Sequence, residues 1–190
     1  MPMKMKIPPQ AKRVFKGVIF DVYQWQQKMY DGSEQTFESL RRPDSVQVIV
    51  IQGDHILIAN EEQPSLSAAL AFLGGRVDEG EEPLKAAQRE LLEESGLVSS
   101  DWELFKSYEY ASKLEFTVYY FMARNCTKVA EPASDPGEKI TLKAVTFEEF
   151  IDLVVQGKIH GDYLEREVLR MKLDPPKLEA FRLKLFPQQK

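Results

Sequence analysis

The alternation of apolar and polar residues predicts strands in the first third of the chain and a mixture of strands and helices after it. From Val14 to Tyr30 the residues are largely β-branched or aromatic, Asp31-Gly32 is a strong turn signal, and Gln35 to Arg41 can return as a second strand closed off by Pro43. Val46, Val48 and Val50 alternate with Gln47, Ile49 and Ile51, a strand buried on at least one face. Gly53-Asp54 turns the chain and His55–Ala59 returns, while residues 60–71, with Pro64, read as irregular. Pro83 to Ser95 is the clearest helix: Pro83 suits its first position and Gly96 the position just past its end. Leu84 and Leu91 share a stripe that can enter the core, and Leu92 lies further round, which predicts burial on two sides. Strands follow near Glu103–Tyr108 and Leu114–Arg124, then a long loop over Lys128–Lys139, a strand Ile140–Val145 and a helix Phe147–Gln156. Two short helices, separated by Pro175-Pro176, close the chain. The fold class is α+β. The expected division is a polar tail (1–13), an N-terminal β-hairpin region (14–44), a main domain (45–173) and a C-terminal helix and tail (174–190).

Composition narrows the function classes. The 190 residues suit one domain, and 43% apolar with 29% charged residues excludes a disordered chain. A net charge of −5 argues against a broad nucleic-acid or anionic-lipid surface. No apolar run is long enough to span a membrane, and no apolar stretch follows the basic N-terminus as in a signal peptide. A single cysteine, Cys126, and two histidines make a disulfide framework or a His/Cys zinc site improbable, and the thiol suits the cytosol. His160 reads as a solvated loop residue, and no P-loop segment is present.

Candidate chemistry concentrates in residues 74–97, GGRVDEGEEPLKAAQRELLEESGL. On a helical wheel with Glu90 at zero, Glu94 falls near about +40° and Glu93 near about −60°, so three carboxylates share one face. Ala86 and Ala87 lie one turn earlier, and their short side chains are expected to leave space beside the carboxylates. Like charges at this spacing repel. A hard divalent cation reverses that sign, because it prefers carboxylate, carbonyl and water oxygens. Beside a glycine-rich turn the set suggests a site for metal-bound phosphates. Arg89, one position off the face, can pair with Glu93 or Glu81. The bland alternative is a solvated acidic face.

The full spacing weighs against that alternative. Gly75, Glu81, Arg89, Glu90, Leu91, Glu93, Glu94, Gly96 and Leu97 fit G-x5-E-x7-R-E-U-x-E-E-x-G-U, where U is a large aliphatic residue. Seven fixed charged or glycine positions make a chance match on the order of 10⁻⁶ at ordinary usage. The pattern resembles the signature of the Nudix hydrolase family. That resemblance implies an α/β/α sandwich of mixed sheets, here with an N-terminal β-hairpin extension, and Mg²⁺-dependent hydrolysis (Mn²⁺ as a substitute) of a nucleoside diphosphate linked to another moiety. It makes Glu90, Glu93 and Glu94 metal ligands, with the Gly74 carbonyl a further one, and makes Glu81 and Arg89 the residues that brace loop against helix.

Over roughly residues 14–172 the order of elements is similar to the ADP-ribose pyrophosphatase branch, through the hairpin region, Thr36–Pro43, and GEKI before VTFEEFIDLVVQGKI. The resemblance implies a homodimer built through the N-terminal strands, and a loop acid, Glu138, that acts on the attacking water; Glu115 is the weaker candidate. Two departures stand out: Glu61-Glu62-Gln63-Pro64 where the branch carries an Arg, and Leu73-Gly74-Gly75 where it carries Pro-Ala-Gly. Arg41, Arg42 and Arg76 are the cations that could hold phosphate in its place. Phe20, Tyr23, Trp25 and Phe37 could stack on a base, against the alternative of core or dimer packing for each; Trp25 and Phe37 are the better stacking candidates, and Gly75 permits close phosphate approach. The expected partner is a small nucleotide, and the competing function is a catalytically silent nucleotide-binding sensor or scaffold.

Overall fold

The computed structural model describes residues 7–64, 66–109, 113–133, 137–159 and 162–187. His160 and residues 134–136 of the long loop lie outside them.

The N-terminal region forms three strands, where the sequence suggested a two-stranded hairpin. They are β1 (Lys12–Lys16), β2 (Asp21–Lys28) and β3 (Glu34–Arg41). The apolar run from Val14 to Tyr30 is interrupted by a tight turn in which the Gly17 N–H donates to the Phe20 carbonyl at 3.0 Å. A continuous β-rich composition hides such a reversal. The second turn falls at Asp31-Gly32 as expected, where the Gly32 N–H donates to the Met29 carbonyl at 3.0 Å.

The chain continues through β4 (Ser45–Gln52), β5 (His55–Gln63), β6 (Leu66–Ala71), α1 (Pro83–Ser95), β7 (Leu97–Val98), β8 (Asp101–Glu109), β9 (Leu114–Glu115) and β10 (Thr117–Arg124). It ends with β11 (Thr127–Lys128), β12 (Lys139–Val145), α2 (Phe147–Val155), α3 (Asp162–Lys172) and α4 (Pro175–Leu185). Residues 60–71 are therefore mostly strand and not irregular. Pro64 sits at the turn between β5 and β6, where a missing N–H breaks no ladder.

The strands make a sheet in the order β1-β2-β3-β9, a second in the order β12-β5-β4-β10-β8 with β6 beside β5, and a small β7-β11 pair. The second sheet is the middle layer. Val46, Val48 and Val50 pack on one face with Ala86, Ala87 and Leu91 of α1. Ile49, Ile51, Ile56 and Ile58 pack on the other with Phe150 and Val154 of α2, Leu164 and Val168 of α3, and Phe181 and Leu185 of α4. The two-sided apolar pattern of β4 is thus used on both sides. Leu92 is 38% exposed and belongs to neither hydrophobic cluster, so α1 is buried on one side only, contrary to the expectation of two. Gly96, at φ 71, ends that helix as the sequence predicted.

Two parallel strand pairs join the sheets. β3 runs beside β9, and the same chains continue as β4 beside β10. At the break the Asp44 carboxylate accepts the Thr117 N–H at 2.7 Å. At the far end of β10 the buried Arg124 bonds Asp101 at 3.0 Å, Glu103, and the Lys184 carbonyl of α4.

Candidate active site

The glycine loop before α1 is laced onto the start of β4. Val48 N–H donates to the Leu73 carbonyl at 2.8 Å, Val46 N–H to Gly75 at 2.9 Å, and Val77 N–H to Asp44 at 2.8 Å. This antiparallel ladder fixes the loop against the helix. A Cβ at Gly75 would land on the Glu90 carboxylate, so a larger residue there would push that carboxylate aside. The Gly74 N–H donates to Glu94 Oε2 at 2.8 Å.

Ala86 and Ala87 are fully buried and leave no opening beside the carboxylates. Their small size lets α1 approach β4, and it carries Glu90 and Glu94 inward on the same face. Glu94 is 8% exposed. Burial pushes its pKa up to about 8, opposed by the Gly74 N–H and reinforced by the charges of Glu90, Glu138 and Glu61. Burial also raises Glu90, against the pull of Arg89. Charge repulsion and desolvation together make this a place that favours a cation.

Arg89 supplies one. Its Nε donates to Glu81 Oε1 at 3.1 Å, Nη1 to Glu90 at 2.8 Å and Glu93 at 3.1 Å, and Nη2 to Glu81 Oε2 at 3.1 Å and the Arg76 carbonyl at 3.0 Å. All five guanidinium N–H groups are committed. The bond from Arg89 holds Glu81 below its ordinary pKa, and Glu81 also accepts the Asp78 N–H at 3.1 Å. The brace between loop and helix that the spacing implied is present.

Glu90, Glu93, Glu94, Gly74, Gly75 and Arg76 line one cavity of about 400 Å³, joined by Glu138 from the loop before β12. Asp78 and Ala133 line it too and were not singled out in the sequence. Glu61 does not line the cavity but adds its negative charge near Glu94. It follows Leu57 and Ala59 at intervals of two on the β5 face that meets α1, and that period was the available signal. The donor set suits a hard divalent cation: carboxylates, a backbone carbonyl and open space. Among the described residues no three acidic, His or Cys side chains already stand as a ligand set; Nη1 of Arg89 occupies Glu90 and Glu93 together.

Other candidates lie elsewhere. Trp25 is buried, with its ring 6.0 Å from that of Phe37 across the β2–β3 pair, and its indole N–H donates to Gln27. Arg42 donates to Ser45 Oγ at 3.1 Å with its guanidinium over the Phe116 ring. Glu115 is ion-paired with Arg41 at 2.7 Å and accepts the Ile7 N–H. None of Trp25, Phe37, Arg42 and Glu115 lines the carboxylate cavity.

A sheet between helical layers, with a carboxylate-bearing helix braced on a glycine loop, is the arrangement that the signature spacing implied. Residues 41–166 match the NUDIX domain, and the chain belongs to the Nudix hydrolase family, whose members in general use divalent metals. It is 24% identical over 153 residues to the ADP-ribose pyrophosphatase of Bacillus subtilis, covering 78% of this chain and 83% of that one. It is 31% identical over 87 residues to the 8-oxo-dGTP diphosphatase of Haemophilus influenzae, covering 46% and 63%. The methanol dehydrogenase activator of Bacillus methanolicus is 22% identical over 154 residues, with coverage of 79% and 83%. A crystal structure of an ADP compounds hydrolase shares the fold, with a TM-score of 0.70 at 21% identity over 93% of this chain and 97% of that one.

Proposed function

We propose that this Nudix hydrolase is Mg²⁺-dependent and cleaves the diphosphate bridge of a nucleoside diphosphate linked to another moiety, with ADP-ribose or a nucleoside diphosphate sugar as substrate. The carrying observation is the buried Glu94, held by the Gly74 N–H, beside Glu90 on the bare backbone of Gly75. The ADP-ribose reading is supported by a relative that spans most of the chain, whereas the 8-oxo-dGTP relative spans less than half.

Glu90, Glu93, Glu94 and the Gly74 carbonyl would hold Mg²⁺, with Mn²⁺ as a substitute. When bound, the cation neutralises phosphoryl charge and acidifies bound water. Glu138 takes the proton of the water that attacks phosphorus. Glu81 and Arg89 keep the loop and helix in register, and Gly75 makes room for the Glu90 carboxylate at the cavity wall that the phosphates approach. Trp25, Phe37 and Arg42 shape the N-terminal sheet on the base side. The working form is a cytoplasmic homodimer joined through the N-terminal strands.

The test is a panel of ADP-ribose, nucleotide sugars, dinucleotides and 8-oxo-dGTP with Mg²⁺, with product identification. The expected products from ADP-ribose are AMP and a phosphorylated sugar. Loss of turnover in chelator and return with Mg²⁺ is expected; full turnover in excess chelator would overturn the mechanism. Binding of nucleotides without turnover of any member would favour the silent sensor.

A further inference from the structure

A diphosphate must enter a cavity walled by carboxylates, so the wall needs a cation that is not already engaged. Two arginines line it, Arg76 and Arg89. Arg89 has no N–H left to offer, since Glu81, Glu90, Glu93 and the Arg76 carbonyl take all five. Arg41 is held by Glu115 and Tyr23, and Arg42 by Ser45 and Phe116, both away from the cavity.

Arg76 differs in both backbone and side chain. Its backbone is fixed three ways: a bridge to Ser45, its carbonyl accepting from Arg89, and flanking ladder bonds from the Val46 N–H to the Gly75 carbonyl and from the Val77 N–H to the Asp44 carbonyl. Its side chain is exposed at the cavity, and among the described residues its guanidinium has no hydrogen bond or ion pair. A rigid stem with an uncommitted planar fork is well suited to bidentate phosphate recognition.

We propose that Arg76 is the phosphate-gripping residue of this site, and that it supplies the cation missing from Glu61-Glu62-Gln63-Pro64. It binds the diphosphate of the substrate where its side chain lines the cavity. This rests on the reading of the cavity as a diphosphate hydrolase site and adds the residue that sets substrate affinity.

The experiment compares Arg76→Ala and Arg76→Lys with Lys85→Ala, which removes an equal charge from an exposed position on α1. KM for whichever panel substrate the wild type hydrolyses should rise about 10-fold or more in Arg76→Ala, with kcat changed less than about threefold. Arg76→Lys should recover part of the affinity, Lys85→Ala should match wild type, and melting should be unchanged because the backbone bonds remain. KM within about twofold of wild type in Arg76→Ala would overturn the assignment. Calorimetric titration of Mg²⁺-pyrophosphate reads the same claim without turnover. About 10-fold weaker binding in Arg76→Ala supports it even if the panel gives no product, which would sink only the hydrolase reading. Equal binding in both proteins, or none to wild type, overturns the role of Arg76.

Discussion

Glu94 is the side chain on which site and stability meet. It retains its proton to about 8 in the folded chain, against an ordinary 4.5. Between those values the folded state holds more protons than the unfolded chain, so stability without metal falls as pH rises through that window. Thermal melts in chelator at about pH 5.5 and about pH 8.5 should show this decline in wild type and a weaker one in Glu94→Gln. Equal slopes would remove Glu94 as the cause. Mg²⁺ affinity should move the other way, rising with pH as the carboxyls lose protons. In assays at saturating Mg²⁺, Glu94→Gln and Glu90→Gln should each lower the rate by ~10²-fold or more. Near-normal rates in both would take these two carboxylates out of the catalytic machinery. Glu138→Gln should lower kcat by ~10²–10⁴-fold with Mg²⁺ affinity intact. A small effect there beside a large one in Glu93→Gln would move the base to α1. The clustering of Glu90, Glu93 and Glu94 was legible because their spacing is local, whereas Glu138 came only with the resemblance. The five bonds of Arg89 were only partly legible, since its bond to the Arg76 carbonyl depends on how the loop folds back.

At the scale of elements, α1 was legible to the residue because its start and stop signals are local, Pro83 and Gly96. β6 was not: its LSAALA sequence is poor in β-branched residues, and Pro64 obscures the turn before it. Its strand state comes from pairing with β5, a tertiary effect. The extension of β5 past Ala59 was lost with it, and so was the placement of Glu61 near Glu94. The contact between the glycine loop and α1 gives a further prediction. Gly75→Ala puts a methyl group against the Glu90 carboxylate, so activity should fall by about 10-fold or more while the fold persists, because the loop stays laced to β4. Circular dichroism and the standard assay check both halves. Unchanged activity would mean that the close approach has no part in the site.

On the scale of the whole molecule, the outer edge of the first sheet stands uncovered among the described residues. All five residues of β1 are exposed at a sheet edge, Val14 and Phe15 among them, and Val18 at the following turn is 95% exposed. A second copy of the chain would satisfy both the edge and the apolar side chains. Sedimentation should therefore give a dimer at micromolar concentration, and Val14→Lys with Phe15→Lys should shift it toward monomer; a wild-type monomer would defeat the assignment. The opposite end of the molecule is closed from within. The family match stops at residue 166, inside α3, yet the core continues through Val168, Phe181 and Leu185, and Arg124 reaches across to Lys184. A fragment cut where the domain match ends would lose the outer wall of one hydrophobic layer and the carbonyl that caps the Arg124 guanidinium. For this chain, where the domain match stops and where a stable folding unit ends are different places.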